Sequence, residues 1–352
     1  MGFMAYFPPV QAGPMPKLPP TEVFAYLPPA ASRSSYCADF TDDNENAESL
    51  AELPSVRFWP VRSRLSRRIF LPIQWFCPAS GRVMYQQYWD LRESPFRGSL
   101  DVSQFFATPN HDEALARLHF LVDGRRHLGL IAGKFGIGKS LLLEVFSQRI
   151  YHDGGEVARV SLLGIDTHEM LWALAAQFGL NPATADTPFV LWRSLADFLS
   201  RSRYENRQVL IVCDDADAAR PDALDLVQRF VQFDAHRLAR KTVLLATADT
   251  GLAQLPLGLL ELAELAITLE PWDTTETARF IDFALRKAGC QRAVFTPTAV
   301  ERLHELAGGI PLRIKQLADL ALLAGAGLNL RQINADTVTE ACHELGVIVP
   351  AN

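Results

Sequence analysis

The chain has 352 residues, a formal net charge of −6 and 49% apolar residues, enough for a packed core and for more than one domain. The mildly acidic balance excludes a uniformly basic nucleic-acid binder, though not a local basic patch. Cys37, Cys77, Cys213, Cys290 and Cys342 are scattered, with no Cys-x-x-Cys pair, which argues against a disulfide framework or zinc ribbon and predicts reduced thiols in a cytoplasmic protein.

Residues 1–83 hold more than half of the prolines, with pairs at Pro8-Pro9, Pro19-Pro20 and Pro28-Pro29. An acidic stretch follows around Asp39 to Glu52, and then a basic one with Arg57, Arg62, Arg64, Arg67 and Arg68. No sustained helical or strand period runs through this segment, so a disordered extension is expected. The arginines fit either an anion-binding patch or a solvated linker. Regular patterning begins at Met84, which suggests that Met84 is the biological start. His111 to Asp123 then reads as a helix ahead of a first strand, Leu128 to Ala132.

The stretch Gly133-Lys134-Phe135-Gly136-Ile137-Gly138-Lys139-Ser140 fits Gly, any four residues, Gly-Lys-Ser/Thr, the phosphate-binding P-loop. A buried strand precedes it, and Leu141, Leu142, Leu143, Val145, Phe146 and Ile150 continue it as a buried helix. Glycines let backbone N–H groups turn inward around phosphate oxygens, and the helix N-terminus adds partial positive charge there. Gly133 to Leu141 is therefore the candidate phosphate cradle, with Lys139 reaching the β/γ-phosphates of ATP and Ser140 holding Mg²⁺.

Val157 to Leu162 reads as a second strand. Asp166 with Glu169 forms a capping box for the next helix, and Phe189 to Leu199 continues as helix. Val209 to Val212 is an all-apolar run ending in Asp214-Asp215, as expected of a central parallel strand. Asp214 would emerge at the sheet's carboxyl edge beside the P-loop and hold Mg²⁺ opposite Ser140; Asp215 would polarise the attacking water. Val243 to Ala246 repeats the strand type. Thr247 after it fits either a γ-phosphate contact or a strand-end cap. Leu252 to Leu269 is the longest apolar stretch, but Pro256, Glu261 and Glu264 break it, so no membrane span is expected; Ala266 to Leu269 reads as a last strand. Alternating strands and helices predict an α/β fold with a parallel sheet flanked by helices.

After Pro271 the strand signals stop. Asp273 and Glu276, Thr296-Pro297 and Pro311 open three successive helices, and a fourth runs from about Asp336 to Leu345. Arg313, in the third, fits either a group swinging over the phosphates or a solvent-facing arginine. The expected division is thus an extension, 1–83, a nucleotide-binding domain, 84–270, and a small helical domain, 271–352.

Three further segments carry a resemblance. Tyr88-Trp89-Asp90-Leu91-Arg92-Glu93-Ser94-Pro95-Phe96 is similar to the opening of ExeA-type ATPases, the general secretion pathway protein A group within AAA+. His111 to Leu118 is similar to that family's next helix. Leu269-Glu270-Pro271-Trp272, Phe295 to Val300 and Gly308-Gly309-Ile310-Pro311 are similar to its lid. The resemblance, from Met84 to about Leu345, implies an AAA+ P-loop NTPase with a helical lid, ATP with Mg²⁺, and activity as a homo-oligomer. It also makes Pro95 and Phe96 candidates for contact with adenine.

The chain departs from the family in three places. Asp215 stands where glutamate is usual, Leu312 where the lid usually has arginine, and no arginine lies between Lys241 and Ala278, where a finger for the neighbouring subunit is expected. Firm ATP binding with slow hydrolysis is therefore expected. The residues admit three functions: an ATPase acting on a protein partner such as a secretion or pilus-type apparatus, a DNA-associated ATPase of the transposition or replication-initiation kind, and a nucleotide switch with little turnover.

Overall fold

The computed structural model describes residues 84–97, 100–234 and 239–344. The expectations for residues 1–83, including the arginines at 57–68, and for Leu345 lie outside the described residues. In chain order the elements are α1 (Met84–Tyr88), α2 (Pro109–Asp123), β1 (Leu128–Gly133), α3 (Lys139–His152), β2 (Glu156–Ser161), α4 (Thr167–Gln177), α5 (Pro188–Tyr204), β3 (Val209–Asp214), α6 (Pro221–Gln232), β4 (Lys241–Thr247), α7 (Leu257–Leu262) and β5 (Leu265–Leu269). The helices α8 (Thr274–Lys287), α9 (Pro297–Ala307), α10 (Pro311–Gly327) and α11 (Ala335–Glu344) follow.

The strands form one parallel sheet in the order β2-β3-β4-β1-β5. Every residue of β1, β3 and β4 is buried, which is why these strands read as unbroken apolar runs rather than alternating ones. Ile131, Leu210, Val212, Leu244 and Ala246 face α2 and α3, while Leu130, Ile211, Cys213, Val243 and Leu245 pack with residues of α4 to α7. The sheet is thus covered on both sides, as the alternating pattern predicts.

Helix starts follow the expected chemistry. Asp166 and Asp273 accept from the N3 amides of α4 and α8, and Glu169 and Glu276 return the bond. Thr296 caps α9 ahead of Pro297. Helix α6 was not among the expected elements, although Ala223, Leu224, Leu226, Val227, Phe230 and Val231 form its buried face. The expected apolar stretch Leu252 to Leu269 resolves into a 3-10 turn, α7 and β5.

The helices α8 to α11 enclose a second core, which Tyr85, Trp89, Leu91 and Phe96 join although they precede the sheet in the chain. Trp89 is fully buried and its Nε1–H donates to the Leu322 carbonyl at 2.9 Å. The Tyr88 hydroxyl donates to the Leu330 carbonyl at 2.7 Å, and that of Tyr85 to Asp319 Oδ1 at 2.6 Å. The opening aromatic segment is therefore a strap across the helical domain, and each polar atom it buries has a partner.

Burial, and then the bond to Asp319, push the Tyr85 phenol up to about 12. Because the folded value lies above the ordinary 10, its contribution is whole below pH 10 and is lost as pH rises toward about 12. Tyr85→Phe is expected to cost about 1–2 kcal/mol at neutral pH. Thermal unfolding of both proteins should show that gap close on the alkaline side.

Candidate nucleotide site

Three strand ends meet at the carboxyl edge of the sheet. Strand β1 runs into the glycine loop, β4 lies beside it, and β3 lies beside β4. The loop is pinned from inside by Ile137, which is buried against the α2–α3 core, while Lys134 and Phe135 at its tip are exposed. Gly136 and Gly138 have φ of +80° and +107°, which L side chains rarely adopt. Gly138 starts α3 with no side-chain cap, so the first amides of the helix are free to meet an anion.

The Lys139 ammonium donates to the Gly133 carbonyl at 2.7 Å and to that of Lys134 at 3.3 Å. Burial lowers its pKa, against the opposing pull of Asp214, Asp217, Asp249 and Asp215. One lysine and four carboxylates therefore share this edge. Asp214 is buried at the end of β3. Its Oδ1 accepts the Asp215 N–H at 3.1 Å and its Oδ2 accepts from Arg159 at 2.9 Å.

Asp215 is exposed and left-handed, with φ +57°, a conformation that aspartate tolerates better than most residues. Its Oδ2 accepts the Ser161 hydroxyl at 2.7 Å. Ser161 ends β2, on the side of β3 away from β1, so the carboxylate is turned from the glycine loop. Thr247 is buried at the end of β4 and donates to the Ala248 carbonyl at 3.3 Å. Asp217, which no sequence motif marks, accepts the Ala248 N–H at 3.0 Å and ties the end of β4 to the turn after β3. A Cβ on Gly251 would strike both Thr247 Oγ1 and Asp217 Cβ, so that glycine lets the two strand ends close.

The lid lies on the glycine loop. The Leu312 amide donates to the Gly136 carbonyl at 3.2 Å, and a Cβ on Gly136 would sit 2.8 Å from Leu312 Cβ. Leu312 thus fills the position that the resemblance gives to arginine. Arg313, one step round α10, is half-buried and makes none of the ion pairs found among the described residues. The Gly308-Gly309 turn has φ of +60° and +69°; the Gly309 carbonyl accepts the Trp272 N–H at 2.9 Å, and a side chain at 309 would strike the Trp272 carbonyl. This close approach explains the paired glycines.

Pro95 and Phe96 are buried, and the Phe96 ring lies 6.1 Å from Phe280 within the helical core. A group nearer the loop is His111 in the first turn of α2. Its Nε2 would lie 3.8 Å from a Cβ on Gly138. Its Nδ1 accepts the Thr108 N–H at 3.3 Å, and its ring lies 5.2 Å from Phe105 and 6.4 Å from Trp272. The capping box read here from structure has histidine in the place of the usual glutamate, which is why the pattern is hard to see in sequence.

The donor set suits a nucleotide with Mg²⁺. Free amides and a lysine bonded to main-chain carbonyls match a polyphosphate, and the Ser140 hydroxyl with the Asp214 carboxylate are hard oxygen ligands. The sheet order, the glycine loop and the helical lid define an AAA+ protein with a P-loop fold.

Comparison with known proteins agrees. A family model described as AAA domain matches residues 122–253. General secretion pathway protein A of Aeromonas hydrophila is 26% identical over 270 residues, 75% of this chain and 49% of that protein. The chain thus spans about half the length of this curated relative. Among solved structures, Cdc6p of Pyrobaculum aerophilum superposes with a TM-score of 0.57 at 18% identity, over 71% of this chain and 70% of its own. Drosophila ORC bound to DNA gives 0.59 at 13% identity, over 81% and 70%. The Aeropyrum pernix ORC2 protein gives 0.55 at 17%, over 73% and 74%. These structures share the fold. Within AAA+, the chain is similar to the ExeA type, the general secretion pathway protein A group.

Gly136→Ala would force both the left-handed φ and the Leu312 contact, and is expected to cost about 1–3 kcal/mol. Differential scanning calorimetry should show it as a lowered transition. Burial holds His111 below its ordinary 6.5, outweighing the Asp112 charge and the bond to the Phe106 carbonyl. The folded chain then binds fewer protons than the unfolded one in acid, so stability falls as pH drops through 6.5. Urea unfolding of His111→Gln should show a shallower loss between neutral and acid pH than the parent chain.

Proposed function

We propose that this chain binds ATP with Mg²⁺ at the glycine loop and hydrolyses it slowly, using nucleotide state to control assembly with itself and with a protein partner. The observation that carries the reading is the single ammonium of Lys139 set among free loop amides and the carboxylates of Asp214, Asp215, Asp217 and Asp249. In this reading the backbone of Gly133, Lys134, Phe135, Gly136, Ile137, Gly138, Lys139, Ser140 and Leu141 binds the phosphates. Lys139 exchanges the Gly133 carbonyl for phosphate oxygens. Ser140 and Asp214 hold Mg²⁺, which when bound neutralises charge on the phosphates. Thr247 orients the attacking water from the end of β4, Arg313 reaches the phosphates from α10, and Pro95 and Phe96 shape the adenine end.

Slow turnover follows from three features. Asp215 must first leave Ser161 before it can accept a proton from water. Its side chain is one methylene shorter than the glutamate expected of the family. Leu312, an apolar residue, occupies the lid position over Gly136, where a cation would stabilise transferring charge.

The partner is proposed to belong to a secretion or pilus-type apparatus, on the similarity to general secretion pathway protein A. Association with DNA is the competing reading; one similar structure is ORC bound to DNA, but the acidic balance of this chain opposes it.

Equilibrium binding of a fluorescent ATP analogue, with single-turnover hydrolysis on the same preparations, tests the proposal. Lys139→Ala is expected to weaken binding by about 10- to 100-fold. Asp215→Asn should leave affinity near the parent value and abolish cleavage. The parent chain should turn over more slowly than about 1 s⁻¹. Brisk hydrolysis by the isolated protein, or ATP binding indifferent to Lys139, would refute the reading. Sedimentation with ATP and with ADP should give different assembly states.

A further inference from the structure

Asp214 already has a cationic neighbour. Arg159, in the middle of β2, donates from Nη2 to Asp214 Oδ2 and from Nη1 to Glu144 Oε2, both at 2.9 Å. The three side chains are sheltered, at 20% exposure for Arg159, 9% for Asp214 and 30% for Glu144. The base of the arginine is also fixed. β2 is an edge strand, yet the Gln177 amide of α4 takes both main-chain groups of Arg159, accepting from its N–H at 2.7 Å and donating to its carbonyl. Glu144 lies on α3, the helix that begins at Lys139, so the pair of ion bridges joins the P-loop helix to the strand carrying the metal carboxylate.

We propose that Arg159 is an internal counter-cation for Asp214. It neutralises the carboxylate when no divalent ion is present, keeps the pocket receptive to nucleotide without metal, and sets how tightly Mg²⁺ is taken up. The inference rests on the nucleotide reading above. Without Arg159, the buried Asp214 carboxylate would face a polyphosphate with no cation bonded to it. With it, an arriving divalent ion meets a carboxylate whose charge is already shared, and meets the guanidinium's own repulsion. Glu144 draws part of that positive charge the other way. Arg159 is thus a positioning and charge-setting residue, with no contact to substrate required.

The two partners predict shifts of opposite sign, which a purely structural role would not produce. The experiment measures binding of a fluorescent ATP analogue to the full chain, first in EDTA and then across a Mg²⁺ titration. Arg159→Gln is expected to weaken metal-free binding by about tenfold and to move the Mg²⁺ midpoint about tenfold lower. Glu144→Gln, which keeps the side chain's size and its acceptor oxygen while removing the charge, should move the midpoint higher. Arg159→Lys, which keeps the charge and loses the fork, should stay within about threefold of the parent on both readouts. If Arg159→Gln does not fold, the Glu144→Gln shift decides the question alone. A midpoint unmoved in either neutral variant, or moved the same way in both, overturns the proposal while leaving the nucleotide reading intact. A parent chain that binds no nucleotide in either condition overturns both.

Discussion

One electrostatic feature organises the site: the carboxylates of Asp214, Asp217, Asp249 and Asp215 all act on the Lys139 ammonium at the carboxyl edge of the sheet, where Arg159 is already paired with Asp214. That convergence requires the strand order β2-β3-β4-β1-β5, because it puts the glycine loop after β1 and the acids after β3 on either side of β4. The order in turn requires strands apolar on both faces, since β1, β3 and β4 are covered by helices from both sides. A charged residue in the middle of any of these strands would be stripped of water against the covering helices with no partner there. The sheet is thus the rigid support on which a crowded, negatively charged edge can be kept.

The edge is tied together by short polar links rather than by packing. Asp217 joins the turn after β3 to Ala248, Ser161 holds Asp215 against β2, and Arg159 joins Asp214 to α3. The lid closes the opposite side through backbone, with the Leu312 amide on the Gly136 carbonyl. A main-chain contact at a left-handed glycine tolerates little change, whereas the carboxylates can rotate about their side-chain bonds. Movement at this site is therefore expected first in Asp215 and Lys139, whose present partners are a surface serine and two carbonyls. The strap of Tyr85 and Trp89 is tied to the middle of α10, at Asp319 and Leu322.

Much of this was legible in the amino-acid order. The P-loop, the apolar run into Asp214 and the capping boxes of α4 and α8 are local signals, and local chemistry fixes them in the structure. Three things were not legible. Helix α6 follows an acidic turn and an arginine, with no side-chain cap to announce it. Arg159 reads as an ordinary polar residue of a strand; only the pairing of β2 with β3 brings it to Asp214. The placement of Tyr85 to Phe96 in the helical core depends on contacts more than 200 residues away in the chain, such as that of Tyr85 with Asp319. The last two are long-range pairings, which periodicity does not encode, whereas α6 carries a local signal in Pro221 and its apolar face.

The position of a metal-bound triphosphate decides the nucleotide chemistry of this edge. A crystal structure with a non-hydrolysable ATP analogue and Mg²⁺ tests it most directly. The triphosphate is expected within the amides of residues 134–140, with the Lys139 ammonium moved from the Gly133 carbonyl to phosphate oxygen and the metal between Ser140 and Asp214. A nucleotide bound elsewhere, or a metal out of reach of Asp214, would contradict it.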